Sequence, residues 1–149
     1  MKYVGSCHCN TVTVTFETDK SPEELGVRTC QCTFCRAHGA ANISDRDGRV
    51  HIDCAESDIV RYCFALKTAD FLICRTCGVY FLAAIGEGDH LFSTLNTNGL
   101  AMAAFVGVAE TPMVYDAEDD NARIDRRHLK WTPTTFSDKA LSASYFGPH

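Results

Sequence analysis

Seven of the nine cysteines fall into three clusters: Cys7 and Cys9 as C-x-C, Cys30, Cys32 and Cys35 as C-x-C-x2-C, and Cys74 and Cys77 as C-x2-C-G. No other feature limits the fold as strongly. A tetrahedral zinc ion takes four ligands at about 2.3 Å per sulfur, so clusters far apart in sequence must converge if they share one ion. In extended backbone, residues two apart project to the same side, and a C-x-C can offer both sulfurs to one metal. C-x2-C closes a tight turn around such an ion, and Gly78, directly after Cys77, takes positive φ at little cost. Cys54 and Cys63 stand apart in strand-like segments and read as small buried hydrophobes.

Metal is favoured over disulfides by the context of these thiols. The N-terminal "MKYVGSCHCN" holds no signal-peptide core, and the longest apolar stretch, "LAMAAFVGVA" from Leu100 to Ala109, is too short to span a bilayer. The chain therefore reads as soluble and cytoplasmic, with no membrane partner. Clustered thiols in a reducing compartment bind metal or perform redox chemistry, and an odd number leaves at least one unpaired in any disulfide scheme. With 149 residues, 46% of them hydrophobic, one conventional core is within reach, and residues 1–149 read as a single domain.

The net charge of −5 and a pI near 5.6 argue against nucleic acid as a partner. The cluster Arg123, Arg126, Arg127, His128 and Lys130 reads as a solvated face balancing the preceding "DAEDD".

Strand signals dominate. "TVTVTFET" alternates threonine with Val12, Val14 and Phe16, giving one face to a core and one to water. "RVHIDC", "DIVRYCFA", "DFLICRTCGVYFLAA" and "HLFSTLN" are likewise β-branched or aromatic and bounded by Gly, Asp, Ser or Asn. The expectation is a mainly β, mainly antiparallel domain with a few short helices, placed at Thr33 to Ala40, around "NGLAMAAF", and in "AEDDNARIDRRH". The C-terminal "ALSASYFGPH" is apolar enough to pack onto the domain or onto a partner such as a second copy of the chain.

Seven ligands divide most simply as four plus three. Cys7, Cys9, Cys74 and Cys77 cross-link distant parts of the chain, where a metal adds to stability, and leave the triplet whole. A competing arrangement draws two ligands from the triplet and strands the third thiol. Asn10 sits where a turn or bulge must separate the Cys7–Cys9 pair from the strand that follows, since Asn tolerates left-handed φ. Three thiolates and an exchangeable position at Cys30, Cys32 and Cys35 form the pattern of a reactive zinc site. Cys35 leads into what reads as a helical turn ending at Gly39, and the helix start and Arg36 both favour ionised sulfur. If instead His38, Cys54 or Cys63 fills the fourth place, the site is structural.

The segments "GSCHCNTVTVTFE" (5–17), "CQCTFCRAHGA" (30–40) and "FLICRTCGVYF" (71–81) together resemble the glutathione-dependent formaldehyde-activating enzyme family, which includes centromere protein V relatives. "LNTNGL" from Leu95 resembles a later family segment more loosely. The resemblance implies a mainly β fold related to Mss-type zinc-containing Rab-binding chaperones and B-class methionine sulfoxide reductases. It also implies a structural zinc on Cys7, Cys9, Cys74 and Cys77, a catalytic zinc on Cys30, Cys32 and Cys35, and a carbon–sulfur lyase activity that adds glutathione to formaldehyde. Two positions depart from the family pattern: Asn10 stands for a usual glycine and Asn98 for a usual arginine.

On this reading zinc at the triplet carries a glutathione-like thiol to a small aldehyde, with Arg36 and Arg75 as anion contacts for the thiol's carboxylates and His38 as a proton shuttle. Two other classes use the same residues: a non-catalytic zinc-stiffened binding or chaperone-like module, and a thiol redox sensor in which the triplet forms a disulfide.

Overall fold

The computed structural model describes residues 1–64 and 67–146. Its strands are β1 (Lys2–Ser6), β2 (Thr13–Glu17), β3 (Val27–Cys30), β4 (Asn42–Ile43), β5 (Arg49–Asp53), β6 (Ile59–Tyr62), β7 (Asp70–Cys74), β8 (Tyr80–Glu87), β9 (His90–Asn96), β10 (Glu110–Met113) and β11 (Thr132–Phe136). The helices are α1 (Pro22–Leu25), α2 (Thr33–Ala37) and α3 (Asp120–Lys130), with 3-10 turns at Glu56–Asp58, Ala103–Phe105 and Ala143–Phe146. The mainly β class expected from the alternation is what forms, and all five strand-like segments become strands. The last residue of "DIVRYCFA" and the last three of "ALSASYFGPH" lie outside the described residues.

Along the main path the strands run β1-β2-β5-β11-β9-β4-β3-β10, with β6, β7 and β8 joined in sequence to β9. Pairing is antiparallel except for β3 with β10 and β5 with β11. β11 is the seam: Thr132 and Pro133 pair with Ser93 and Phe92 of β9, and Thr134 to Phe136 pair with Val50 to Ile52 of β5. Three of its residues are threonines, yet Thr132 and Thr134 are buried. Their hydroxyls are satisfied: Thr132 Oγ1 accepts from Asp45 N at 2.8 Å, and Thr134 Oγ1 shares a proton with Ser93 Oγ at 2.6 Å. Buried polar atoms are tolerated when paired in this way.

β8 reads as one continuous apolar run because both of its faces are covered. Leu82 and Ala84 face the larger core, with Val12, Val14, Phe16, Ile52 and Leu95, while Ala83 and Ile85 face a smaller cluster with Cys35, Tyr80, Phe92 and Trp131. This second cluster forms the floor beneath the site. Leu141, Ala143 and Phe146 pack onto the larger core, so the C-terminal segment returns to its own chain as far as it is described. Gly86 admits that segment closely, since a Cβ there would lie 2.1 Å from Ala143 O.

Candidate functional site

The turn after β1 is set by Asn10, whose φ of 65° is left-handed, as its position in the sequence suggested. Asn10 N donates to Cys7 O and Cys7 N to Val12 O, so the chain reverses and both sulfurs turn toward the β7–β8 connection. That connection is itself a tight turn, in which Gly78 N donates to Cys74 O and Gly78 has a φ of 77°. The four sulfurs of Cys7, Cys9, Cys74 and Cys77 consequently lie within 4.8 Å of one another. Cys9 Sγ is 3.7 Å from Cys7 Sγ and 3.6 Å from Cys74 Sγ. A tetrahedron with ~2.3 Å zinc–sulfur bonds has sulfur–sulfur edges of about 3.8 Å, so the donor set fits zinc in both chemistry and spacing. Hydrogen bonding to Thr11, through its hydroxyl and its backbone, holds the Cys9 thiol down at about 6, whereas burial pushes Cys74 up to about 12.

The second group is built by the end of β3 and the start of α2. Cys32 caps α2, its sulfur accepting from Cys35 N at 3.4 Å, and Gly39 ends the turn with a φ of 58°. Asn98 Nδ2 donates to Gly39 O at 2.8 Å, so this asparagine tethers the far end of the α2 segment. The sulfurs of Cys30, Cys32 and Cys35 lie within 4.8 Å of one another, and among the described residues no fourth His, Cys, Asp or Glu joins them within that distance. Hydrogen bonds from Cys30 and then Cys35 hold Cys32 well below the ordinary thiol range; the same sharing pushes Cys30 and Cys35 up. All nine cysteines are free thiols.

The triplet lines a cavity of about 620 Å³, a volume suited to a small peptide or drug-sized molecule. One wall is apolar and aromatic, with Phe64, Phe71, Tyr80 and Trp131. Phe34 anchors it from behind, its ring 4.9 Å from the centroids of both Phe71 and Tyr80. Burial, followed by the charge of the neighbouring cysteines, raises the Tyr80 phenol well above its usual range, so it stays protonated. The lining also carries Arg28, Arg123, Arg126 and Arg127, together with two carboxylates, Asp116 and Glu118.

Arg36 is exposed on α2 and is absent from the cavity lining, and Arg75 donates to the carbonyls of Ser57 and Ile59, where it braces a turn. His38 is exposed and packs on Phe34 with ring centroids 4.4 Å apart. Cys54 and Cys63 join neither sulfur group. The basic cluster on α3 departs from its reading as a solvated face: Arg127 is only 7% exposed. The available signal was the spacing of Ile124, Arg127 and Trp131, which puts the arginine on the helix's inward stripe between two apolar residues. A polar residue on an apolar stripe is a buried charge, and the neighbouring arginines and acids disguised it.

A sequence model of the glutathione-dependent formaldehyde-activating enzymes matches residues 2–104, a span that contains all seven clustered cysteines. The chain belongs to this family. A protein of Rhodobacter sphaeroides known from its crystal structure is similar to it at 28% identity, over 74% of this chain and 100% of its own, with a TM-score of 0.54. Among curated proteins no sequence matches. Family membership marks the chain as enzyme-related and ties it to glutathione-dependent formaldehyde activation. The match ends before β10, α3 and β11, so the arginine-bearing helix over the cavity lies outside it. No helix among the described residues is long and apolar enough to cross a membrane.

Proposed function

We propose that this chain is a zinc-dependent carbon–sulfur lyase-type enzyme that joins a glutathione-like thiol to a small aldehyde. Cys7, Cys9, Cys74 and Cys77 hold a structural zinc ion, and Cys30, Cys32 and Cys35 hold a second. The observation that carries this reading is the placement of the triplet: three thiols on the wall of a sizeable cavity, with no fourth protein donor in reach among the described residues. A closed set of four thiols is the pattern of a structural site, and three with room for a ligand is that of a reactive one. Zinc on three thiolates supplies a soft centre that keeps an added thiol ionised near neutral pH.

The chain's own residues do the remaining work. Phe64, Phe71 and Trp131 restrict water in the cavity, while its arginines draw in an anionic molecule. Tyr80, held neutral by burial, is a hydrogen-bond donor for a carbonyl oxygen. In the addition, the thiol sulfur forms a bond to the aldehyde carbon, the carbonyl π bond breaks, and the thiol proton ends on the new hydroxyl.

Zinc per chain, measured by elemental analysis, together with adduct formation from glutathione and ¹³C-formaldehyde followed by NMR, tests the proposal. The expected result is two zinc ions in the wild type and one in Cys30→Ser/Cys32→Ser/Cys35→Ser, which stays folded and loses acceleration over the uncatalysed reaction. Unchanged zinc content in the variant overturns the metal assignment. Two zinc ions with no acceleration in the wild type leave a zinc-stiffened scaffold and overturn the enzyme.

A further inference from the structure

The four arginines of the cavity are not equivalent. Arg126 makes a two-pronged contact with Glu118, its Nε and Nη2 donating at 2.8 and 3.1 Å, and its guanidinium lies over the Tyr115 ring at 3.6 Å. Arg123 sits 3.7 Å from the same carboxylate and donates to Tyr115 O at 3.1 Å. These two charges are answered, and their task is to pin α3 to the segment before it.

Arg28 and Arg127 have no carboxylate within 4.0 Å among the described residues. Arg28 donates to Ser44 Oγ, and Arg127 donates to Thr68 Oγ1 while lying over the Trp131 ring at 5.0 Å. Burial followed by the neighbouring arginine charges lowers Arg127 to about 10, a sign of a cation short of an anion. Arg127 Nε is buried with no hydrogen-bond partner; Arg123 Nε is too, but it lies 3.7 Å from the Glu118 carboxylate, and Asn42 Oδ1, a second cavity-lining group that is 7% exposed, is likewise without a partner. A buried guanidinium without a counter-charge is unfavourable, and supplying the anion removes that penalty.

Both arginines line the cavity, and geometry ties Arg28 to the thiol end. Arg28 and Cys30 are two residues apart on β3 and project to one face, about 7 Å apart along the strand. Asn42 lies opposite Arg28 in the β3–β4 register. We propose that Arg28 and Arg127 form the carboxylate-recognition subsite of the cavity, with Asn42 Oδ1 accepting an N–H. They select amide-bearing thiols with a carboxylate a few bonds from sulfur over neutral thiols. The proposal rests on the functional reading above for the thiol end only. Arg28 and Asn42 lie within the family match and Arg127 beyond it, so the subsite joins the family core to this chain's C-terminal segment.

Calorimetry on the zinc-loaded protein tests this, with glutathione, S-methylglutathione and the diethyl esters of both as probes. In the wild type each acid binds at least tenfold tighter than its diester. In Arg127→Gln, and separately in Arg28→Gln, the preference falls to threefold or less, whereas Arg36→Gln, outside the cavity, retains it. Circular dichroism melts identify a variant that fails to fold, and Arg28, only half buried, is the one placed to tolerate the change. Equal binding of acids and diesters in the wild type overturns the subsite, and a preference that survives both glutamine variants overturns its assignment to these residues. An intact preference for S-methylglutathione over its diester, with no gain from the free thiol, supports the subsite and sinks only the zinc–thiol reading. If none of the four probes binds, both are overturned.

Discussion

The four-sulfur cluster ties Cys9 to Cys74 across a span of 65 residues, and a metal there acts on the unfolded chain as a cross-link would. The chain-entropy relation for a loop of that length gives roughly 4 kcal/mol. For a domain of this size each kcal/mol moves the midpoint by about 2–4 °C, so stripping the ion lowers Tm by roughly 8–16 °C. The cleanest perturbation is Cys9→Ser/Cys77→Ser, which takes one ligand from each pair at half-exposed positions and leaves the buried Cys7 and Cys74 packing untouched. The triplet spans only Cys30 to Cys35, for which the same relation gives about 2 kcal/mol, so its serine variant loses about half as many degrees. Thermal melts of the wild type and both variants, with and without a strong chelator and with zinc per chain measured alongside, make the comparison. A double variant that loses zinc yet melts within 3 °C of wild type refutes the cross-linking argument. So does a triplet variant that falls as far as the double variant.

Three further outcomes follow from the packing. Gly86→Ala places a methyl group against Ala143 O and displaces the turn that buries Phe146; the expected loss is about 1–3 kcal/mol in denaturant melts, and a change under 0.5 kcal/mol would contradict the close approach. Asp45 is 4% exposed; burial opposes its ionisation, but hydrogen bonds from Lys20 and Thr18 outweigh that and lower its carboxyl below the ordinary value. A depressed carboxyl contributes stability that is present above its unfolded value of about 3.9 and is lost as pH falls through the lower folded value. Asp45→Asn should therefore flatten the acid limb of a stability–pH curve below about pH 4, and an unchanged limb argues against the pairing. Cys54 is pushed up to about 12 by burial and then by nearby carboxylates, so iodoacetamide at pH 8 should leave it unmodified in the native protein and label it only in denaturant, as read by peptide mass mapping.

How much of this was legible in sequence differs by element. β2, β5, β7, β8 and β9 announced themselves by alternation or by a continuous apolar run, and the knuckles by Asn10 and Gly78. β11 did not, because its buried side chains are threonines whose hydroxyls are paired across the sheet, which hydropathy scores as polar. β10 carries a proline and mostly exposed residues at the end of the path, and its parallel pairing with β3 spans most of the chain. At the site, the three cysteine clusters could be read from spacing, since short-range backbone geometry brings the sulfurs within each together, whereas the meeting of Cys9 with Cys74 is a contact across 65 residues. The arginine lining could not be, because whether α3 turns Arg127 to water or to Trp131 depends on what lies beneath the helix.

The placement of β11 also bears on when the molecule can fold. It is the strand through which β5 and β9 are joined along the path, and its partners lie about 40 positions earlier in β9 and 84 earlier in β5. A nascent chain leaving the ribosome can thus close the Cys7–Cys74 knuckle and form the β6–β9 meander while β1, β2 and β5 remain without their neighbour. The sheet becomes continuous only after residue 136 emerges. Until then the edges of β5 and β9 that β11 will cover are without that partner, which makes this interval, rather than metal capture, the stage at which the chain is most exposed to aggregation.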